Sequence, residues 1–248
     1  VQMEDLRVSL GIPTGAEWDP LDPASPAGVY VRQTSQRLYP HTAPPAVALE
    51  PGIVPDQISD WTEGPASTQE TFGRILYRLA DLPELSSRLV TASPDVSVST
   101  NLTGWINKRG AFSRLEQPDY DTDALRLLKW KRGPAGQHIE LGISEMNLFL
   151  LLGMFGLSAE LSGQLTIPIG TVYDPFVCRG LDALIYALYC KSKFIFAGTP
   201  SGITLAPEGG AHQSAITPSI GAELPNLRML EPGFAREVEW ILLDSIRQ

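Results

Sequence analysis

Residues 136–147 read Gly-Gln-His-Ile-Glu-Leu-Gly-Ile-Ser-Glu-Met-Asn, a polar stretch with one imidazole and two carboxylates that runs straight into the apolar block 148–157. An ionised carboxylate carried into apolar surroundings must find a partner or take up a proton. Glu145, at the mouth of that block, therefore either caps a helix or sits in its first turn, where the macrodipole favours an acid, or handles a proton in a chemical step. His212 follows Gly209 and Gly210 in a loop that can approach a ligand closely, and its imidazole suits charge stabilisation or proton transfer. Tyr173 and Phe176 flank a strand–helix junction, where they either pack in the core or stack on a flat aromatic ligand. His138 and Glu140 share a short loop, and the imidazole there could equally be exposed. His41 lies in a Pro-rich stretch and is expected at the surface.

The elements that must position these side chains alternate in type. Ser67-Thr-Gln-Glu70 opens a helix carrying Phe72, Ile75, Leu76 and Leu79 at helical spacing. Strands are expected over 87–92, 164–172, 193–197 and 226–230, with helices over 145–157, 176–190 and 233–246. Strands separated by helices imply an α/β fold, a parallel sheet sandwiched by helices on both faces. In such sheets ligands sit beyond the carboxyl ends of the strands, so loops 93–105, 136–147, 173–176 and 198–213 are the ones to watch. Before residue 67 the pattern differs: residues 2–10 look locally helical, and 13–66 hold ten of the 21 prolines with few periodic apolar positions. This is the composition of an extended connector wrapping a surface. The expected organisation is a connector over 1–66 from an upstream region and a domain over 67–248. The chain starts abruptly, as a fragment would.

Composition removes several classes of function. A chain of 248 residues, 43% hydrophobic and 19% charged, can bury a sizeable core. Its formal charge of −9 argues against nucleic acid, whose binding needs clustered Lys and Arg, and the densest basic run is only residues 129–132. The longest apolar block is too short for a bilayer, which takes roughly 20 residues, and the start is not a signal peptide. Two cysteines, Cys178 and Cys190, in an apolar helical pattern suit reduced core thiols in a cytoplasmic protein.

The loops also carry a family resemblance. Gly142-Ile-Ser-Glu145 is similar to the Gly-Ile-X-Glu that opens the pyrimidine-binding helix of thiamine-diphosphate enzymes of the transketolase group, and Gly136-Gln137 before Gly142 resembles most closely the homodimeric pyruvate dehydrogenase E1 components. The loop from Ser93 to Thr103, with Asn101, resembles the first strand-end loop of transketolase. Ile167-Pro168 followed by Tyr173 and Phe176 resembles the strand and aromatic pair facing the cofactor ring. The run from Gly202 to Gln213 combines E1-like Thr-Leu and Glu-Gly with a transketolase-like Ala-His-Gln, and Pro232-Gly-Phe-Ala-Arg-Glu-Val238 resembles the E1 ending of this domain. The match covers 67–248 well and the first 66 residues poorly.

What the resemblance implies is specific. The cofactor would be thiamine diphosphate, with Glu145 the carboxyl group that hydrogen-bonds its aminopyrimidine and favours the imino form that deprotonates the thiazolium carbon. Burial beside Met146 and Phe176 would raise the pKa of Glu145 enough to share a proton. Tyr173, Phe176 and Asn101 would contact the cofactor, and His212, Gln213 and His138 the substrate. The implied activity is that of a pyruvate-type 2-oxo acid dehydrogenase E1, decarboxylating the substrate and passing the acyl group to lipoamide on an E2 component. A transketolase-type ketol transferase and a non-catalytic assembly domain are the alternatives. Two departures matter. Val96 follows Asp95 where E1 components carry a Glu, and the Gly-Asp-Gly with a following Asn that holds magnesium and diphosphate is missing. Magnesium would thus be held by a diphosphate-binding partner domain or subunit, in a homo- or hetero-oligomer, since such a cation needs oxygen ligands at a phosphate cradle.

Overall fold

In the computed structural model, which describes residues 2–39, 47–59, 64–116, 129 and 131–248, the alternating pattern resolves into a sheet with helices on both faces. His41 lies outside the described residues. The chain divides into two units, Val1–Ala43 and Pro44–Gln248.

The first unit holds α1 (Gln2–Ser9) and α2 (Pro26–Leu38). The second of these falls in the stretch expected to be extended. Its prolines mark a helix border instead of excluding a helix: Ser25 caps by accepting from the Gly28 amide at 3.0 Å, and Pro26 takes the first helical position, where no amide is needed. Gly28 is required there, because a Cβ would meet the Asp22 carbonyl oxygen at 2.1 Å.

The second unit runs α3 (Thr68–Leu79), α4 (Pro83–Ser86), β1 (Leu89–Ser93), α5 (Thr103–Arg109), β2 (Ala111–Phe112), β3 (Arg132–Gly133), β4 (His138–Glu140), α6 (Glu145–Phe155), α7 (Ser158–Ser162), β5 (Ile167–Val172), α8 (Leu181–Tyr189), β6 (Ile195–Gly198), α9 (Thr217–Glu223) and α10 (Ala235–Arg247). A 3₁₀ segment, Asp174–Gly180, joins β5 to α8. The strands pair in the order β3-β2-β4-β1-β5-β6, every pair parallel, with Thr91 opposite His138 and Thr91 opposite Ile169 fixing the register of the central three. Every residue of β5 is buried, as expected of a central parallel strand covered on both faces.

Two apolar layers cover the sheet. One gathers Ile75, Leu76 and Leu79 of α3, Trp105 and Ile106 of α5 and Leu242, Leu243 and Ile246 of α10 over Leu89 and Ile169. The other packs Leu148, Phe149 and Leu152 of α6 with Leu184 and Leu188 of α8 over Ala92 and Val172. Gly170 lets α6 approach β5, since a Cβ would stand 2.6 Å from the nearer δ-methyl of Leu152. Residues 47–59 join the first layer through Leu49, Ile53, Val54 and Ile58. Their backbone is held by α10: Glu239, fully buried, accepts from the Ile58 and Ser59 amides at 2.9 and 2.7 Å, and Arg247 donates to the Pro55 carbonyl and the Asp56 carboxylate at 2.7 and 2.8 Å.

Several expectations need correction. Residues 226–230 form no strand: Asn226 takes a left-handed conformation (φ 65°), and its side-chain amide donates to the Leu188 carbonyl at 3.2 Å. The apolar run 176–190 is not one helix, because the 3₁₀ segment winds more tightly than α8 and shifts the phase between them. For that reason Cys178 turns outward, and Cys190 caps the end of α8; both thiols are free and exposed, not core.

Candidate functional site

Beyond the carboxyl ends of β1, β4, β5 and β6 the sequence supplies four loops, and three of them meet at one cluster. Tyr173 and Phe176, either side of the start of the 3₁₀ segment, stack with ring centroids 5.9 Å apart and planes at 28°. His212, in a short 3₁₀ turn (Gly210–His212), stands edge-on to both rings, at 5.2 Å from Phe176 and 6.2 Å from Tyr173. The aromatic pair thus turns toward each other and toward His212. The Tyr173 hydroxyl finds its partner in Ser99, donating to Oγ at 2.7 Å.

Glu145 opens α6 as its first helical residue and is buried. The cap is its neighbour: Ser144 Oγ accepts from the Asn147 amide at 3.4 Å. Glu145 is therefore a first-turn acid and not the cap, and its carboxylate is left for another task. It meets Arg179, whose Nη1 lies 3.5 Å from Glu145 Oε1 while the guanidinium lies 3.8 Å from the centroid of the Phe176 ring. One cation so joins the buried carboxylate to the aromatic pair, by charge on one side and by the ring quadrupole on the other. Gly180 makes this closeness possible, since a Cβ there would stand 2.7 Å from the Glu145 carbonyl oxygen and 2.4 Å from the Phe149 ring.

His212 carries an unsatisfied atom. Its Nε2 lies 3.5 Å from Glu208 Oε2, whereas Nδ1 is buried with no hydrogen-bond partner among the described residues. A buried ring nitrogen without a partner is a costly feature that a bound polar group would satisfy. Gln213 follows directly, half-buried, its amide donating to the Gly210 carbonyl at 3.2 Å. The loop bearing both is tied down by Asp174, a buried carboxylate that accepts from the Gly202 amide at 3.4 Å and whose carbonyl accepts from Thr217 Oγ1 at 3.0 Å.

Two of the expected site residues stand elsewhere. Asn101 (φ 62°) lines a shallow cleft with Glu70, Arg74 and Tyr77 of α3. His138 is not exposed: it is wholly buried on β4, with Nδ1 2.9 Å from Thr91 Oγ1 and Nε2 3.3 Å from Glu140 Oε2. Burial pushes the Glu140 carboxyl up, but hydrogen bonds from His138, the Asp95 amide and Ser97, with the His138 charge, outweigh it and hold the group below the usual glutamate range. Sequence reading did not find Arg179, Ser99 or Asp174. For Arg179 the partner lies 34 positions away, so no local spacing could show the pair.

No group of three or more His, Cys, Asp or Glu side chains that could hold a metal ion occurs among the described residues, and no helix among them is long and apolar enough to cross a membrane. The family model of the pyruvate dehydrogenase E1 component middle domain matches residues 56–248. The pyruvate dehydrogenase E1 component of Pseudomonas aeruginosa is 26% identical over 184 residues, covering 73% of this chain and 21% of that protein. That of Escherichia coli K12 is 23% identical over the same length and shares. The chain thus spans about a fifth of the length of these relatives (21%). Among solved structures, transketolase from Campylobacter jejuni superposes with a TM-score of 0.62 at 16% identity over 88% of this chain and 28% of that one. Transketolase from Leishmania mexicana gives 0.59 at 17% over 89% and 30%. The fold is that of these structures, and the chain belongs to the pyruvate dehydrogenase E1 component middle-domain family.

Proposed function

We propose that the chain is the pyrimidine-binding part of a thiamine-diphosphate-dependent 2-oxo acid dehydrogenase E1 of the pyruvate type. The observation that carries this is the buried Glu145 carboxylate, released from capping by Ser144 and linked through Arg179 to an aromatic pair that adjoins a histidine with an unpartnered buried nitrogen. These residues fit a flat, hydrogen-bonding heterocycle: a carboxyl for a ring nitrogen, aromatic faces for stacking, and a polar atom in want of a partner. Bound thiamine diphosphate supplies a carbon that becomes nucleophilic once its proton is removed. Glu145 would hold and return a proton at the pyrimidine ring. Arg179 would keep that carboxylate in place, and Tyr173 and Phe176 would orient the ring. His212, backed by Glu208, would face the reacting carbon and stabilise charge or pass a proton there.

Diphosphate and magnesium are assigned to a partner domain or subunit. Such a partner would have an apolar face to dock on. Met146, Leu150 and Met154 form one exposed apolar stripe along α6, and Ile185, Tyr186 and Tyr189 of the adjoining α8 are exposed too. Exposed apolar side chains grouped on adjoining helices favour an interaction face, and one of these helices begins with Glu145. Acyl transfer to an E2-borne lipoamide would follow in the assembled enzyme. Fluorescence titration with thiamine diphosphate and magnesium, with and without a diphosphate-domain partner, tests the proposal. Saturable binding that tightens with the partner is expected; no binding in either case would leave a non-catalytic assembly domain. Pyruvate decarboxylation assayed against ketol transfer separates the dehydrogenase from a transketolase-type reading.

A further inference from the structure

The pair formed by buried His138 and half-buried Glu140 takes no part in the cluster just described, yet it touches one of its loops. Glu140 Oε1 accepts from the Asp95 amide at 2.7 Å, and Ser93 Oγ donates to the same carboxylate at 3.1 Å. Asp95 has φ 65°, in the left-handed region that residues other than glycine enter only when something holds them there. After it the chain makes one helical turn, with the Thr100 amide and hydroxyl both donating to the Val96 carbonyl at 2.9 and 2.7 Å. Thr100 Oγ1 pins that turn to Thr171 Oγ1 of β5 at 2.8 Å. Ser99, on the same turn, receives the Tyr173 hydroxyl.

We propose that Glu140, held by His138, sets the left-handed turn at Asp95 and thereby delivers Ser99 to the Tyr173 hydroxyl, so that both are positioning residues for the Tyr173–Phe176–His212 cluster. The chemistry suits this role. Glu140 stays ionised below the usual glutamate range, and Ser93, the Asp95 amide, Ser97 and His138 all hydrogen-bond it, so it is an acceptor and not an acid. His138 needs no charge to serve: with its proton on Nε2 it donates to Glu140, while Nδ1 accepts from the Thr91 hydroxyl. The loop that carries Val96 thus receives a carboxylate from the neighbouring strand. The inference rests on the proposed function only for the ligand that the cluster holds, and its test uses none.

The test is made on the full chain. In tyrosine-labelled protein the ¹³Cζ signal of Tyr173, assigned by its loss in Tyr173→Phe, should move in Ser99→Ala. It should move in the same direction in Glu140→Ala, and Glu140→Ala should add nothing in the Ser99→Ala background. Amide exchange of residues 95–101 should speed at least tenfold in Glu140→Ala, with β5 unchanged. Adding Asp95→Gly, which adopts φ 65° unaided, should restore at least half of that protection on a logarithmic scale. Additive shifts, an unmoved Tyr173 signal, or loop exchange that Glu140→Ala leaves unchanged would overturn the proposal. Should Glu140→Ala fail to fold, Glu140→Gln must show the same directions at smaller amplitude, and an unchanged loop and Tyr173 signal in that variant would refute it equally.

Discussion

Gly180→Ala probes the contact that brings Glu145 to Arg179. A Cβ built on Gly180 would stand 2.4 Å from Phe149 Cδ2, 2.7 Å from the Glu145 carbonyl oxygen and 3.0 Å from its carbon. Carbon atoms in ordinary contact lie about 3.5 Å apart or more, so the new methyl overlaps the Phe149 ring by roughly 1 Å. The ring has nowhere to go: Phe149 is fully buried and packs edge-on against Phe196 at 5.2 Å. The second obstacle is backbone, and moving it means shifting the first turn of α6. Overpacking of this kind costs about 1–3 kcal/mol, and the upper half is expected here. For a chain of this size that lowers Tm by roughly 4–12 °C. The matched control is Gly210→Ala, which meets nothing within 4 Å and should change stability by no more than about 0.5 kcal/mol. Urea unfolding at pH 7, followed by circular dichroism, measures both. If Gly180→Ala proves as stable as Gly210→Ala, the close packing of the Asp174–Gly180 segment on α6 is wrong, and the placing of Arg179 falls with it.

Three further outcomes follow from named contacts. Glu239→Ala leaves the half-buried Ile58 and Ser59 amides without their acceptor and should destabilise by about 1–3 kcal/mol, with faster amide exchange over 53–59 as the local signature. Ser99→Ala removes an exposed hydrogen bond, so its effect on stability should stay below about 1 kcal/mol, yet it should weaken ligand binding at the Tyr173 cluster. Because the Glu140 pKa is lowered by folding, its contribution is fully present above the ordinary glutamate value of about 4.3 and is lost as pH falls through the folded value. The stability gap between the wild type and Glu140→Gln should therefore close on acidification below that range. A gap that widens in acid would contradict the sign.

How much of this was legible in the sequence depends on the range of the interactions involved. The cap at Ser67 marked the start of α3 to within a residue, and the spacing of Phe72, Ile75, Leu76 and Leu79 marked its buried face, because both signals are local. The run before Val172 read as a strand for the same reason, and Glu145 stood out because a carboxylate beside an apolar block is conspicuous on one line of text. The expected strand at 226–230 failed on a single left-handed Asn226, and the outward turn of Cys178 on a change from 3₁₀ to α winding. Arg179 could not be foreseen, since its importance lies wholly in a contact between two elements. His138 illustrates the same limit: its neighbours in sequence suggest a loop, whereas its partner in space, Thr91, places it inside the sheet.

The proposed role of Glu145 is to exchange a proton with a bound aminopyrimidine. Its most direct measurement is the rate of hydrogen–deuterium exchange at the thiazolium carbon of thiamine diphosphate bound to the chain with its diphosphate-domain partner, compared between wild type and Glu145→Gln. The variant should still bind the cofactor while exchange slows at least a hundredfold, in line with the loss of a general acid–base group. Equal exchange rates at full occupancy would contradict it and return Glu145 to the part of a first-turn acid.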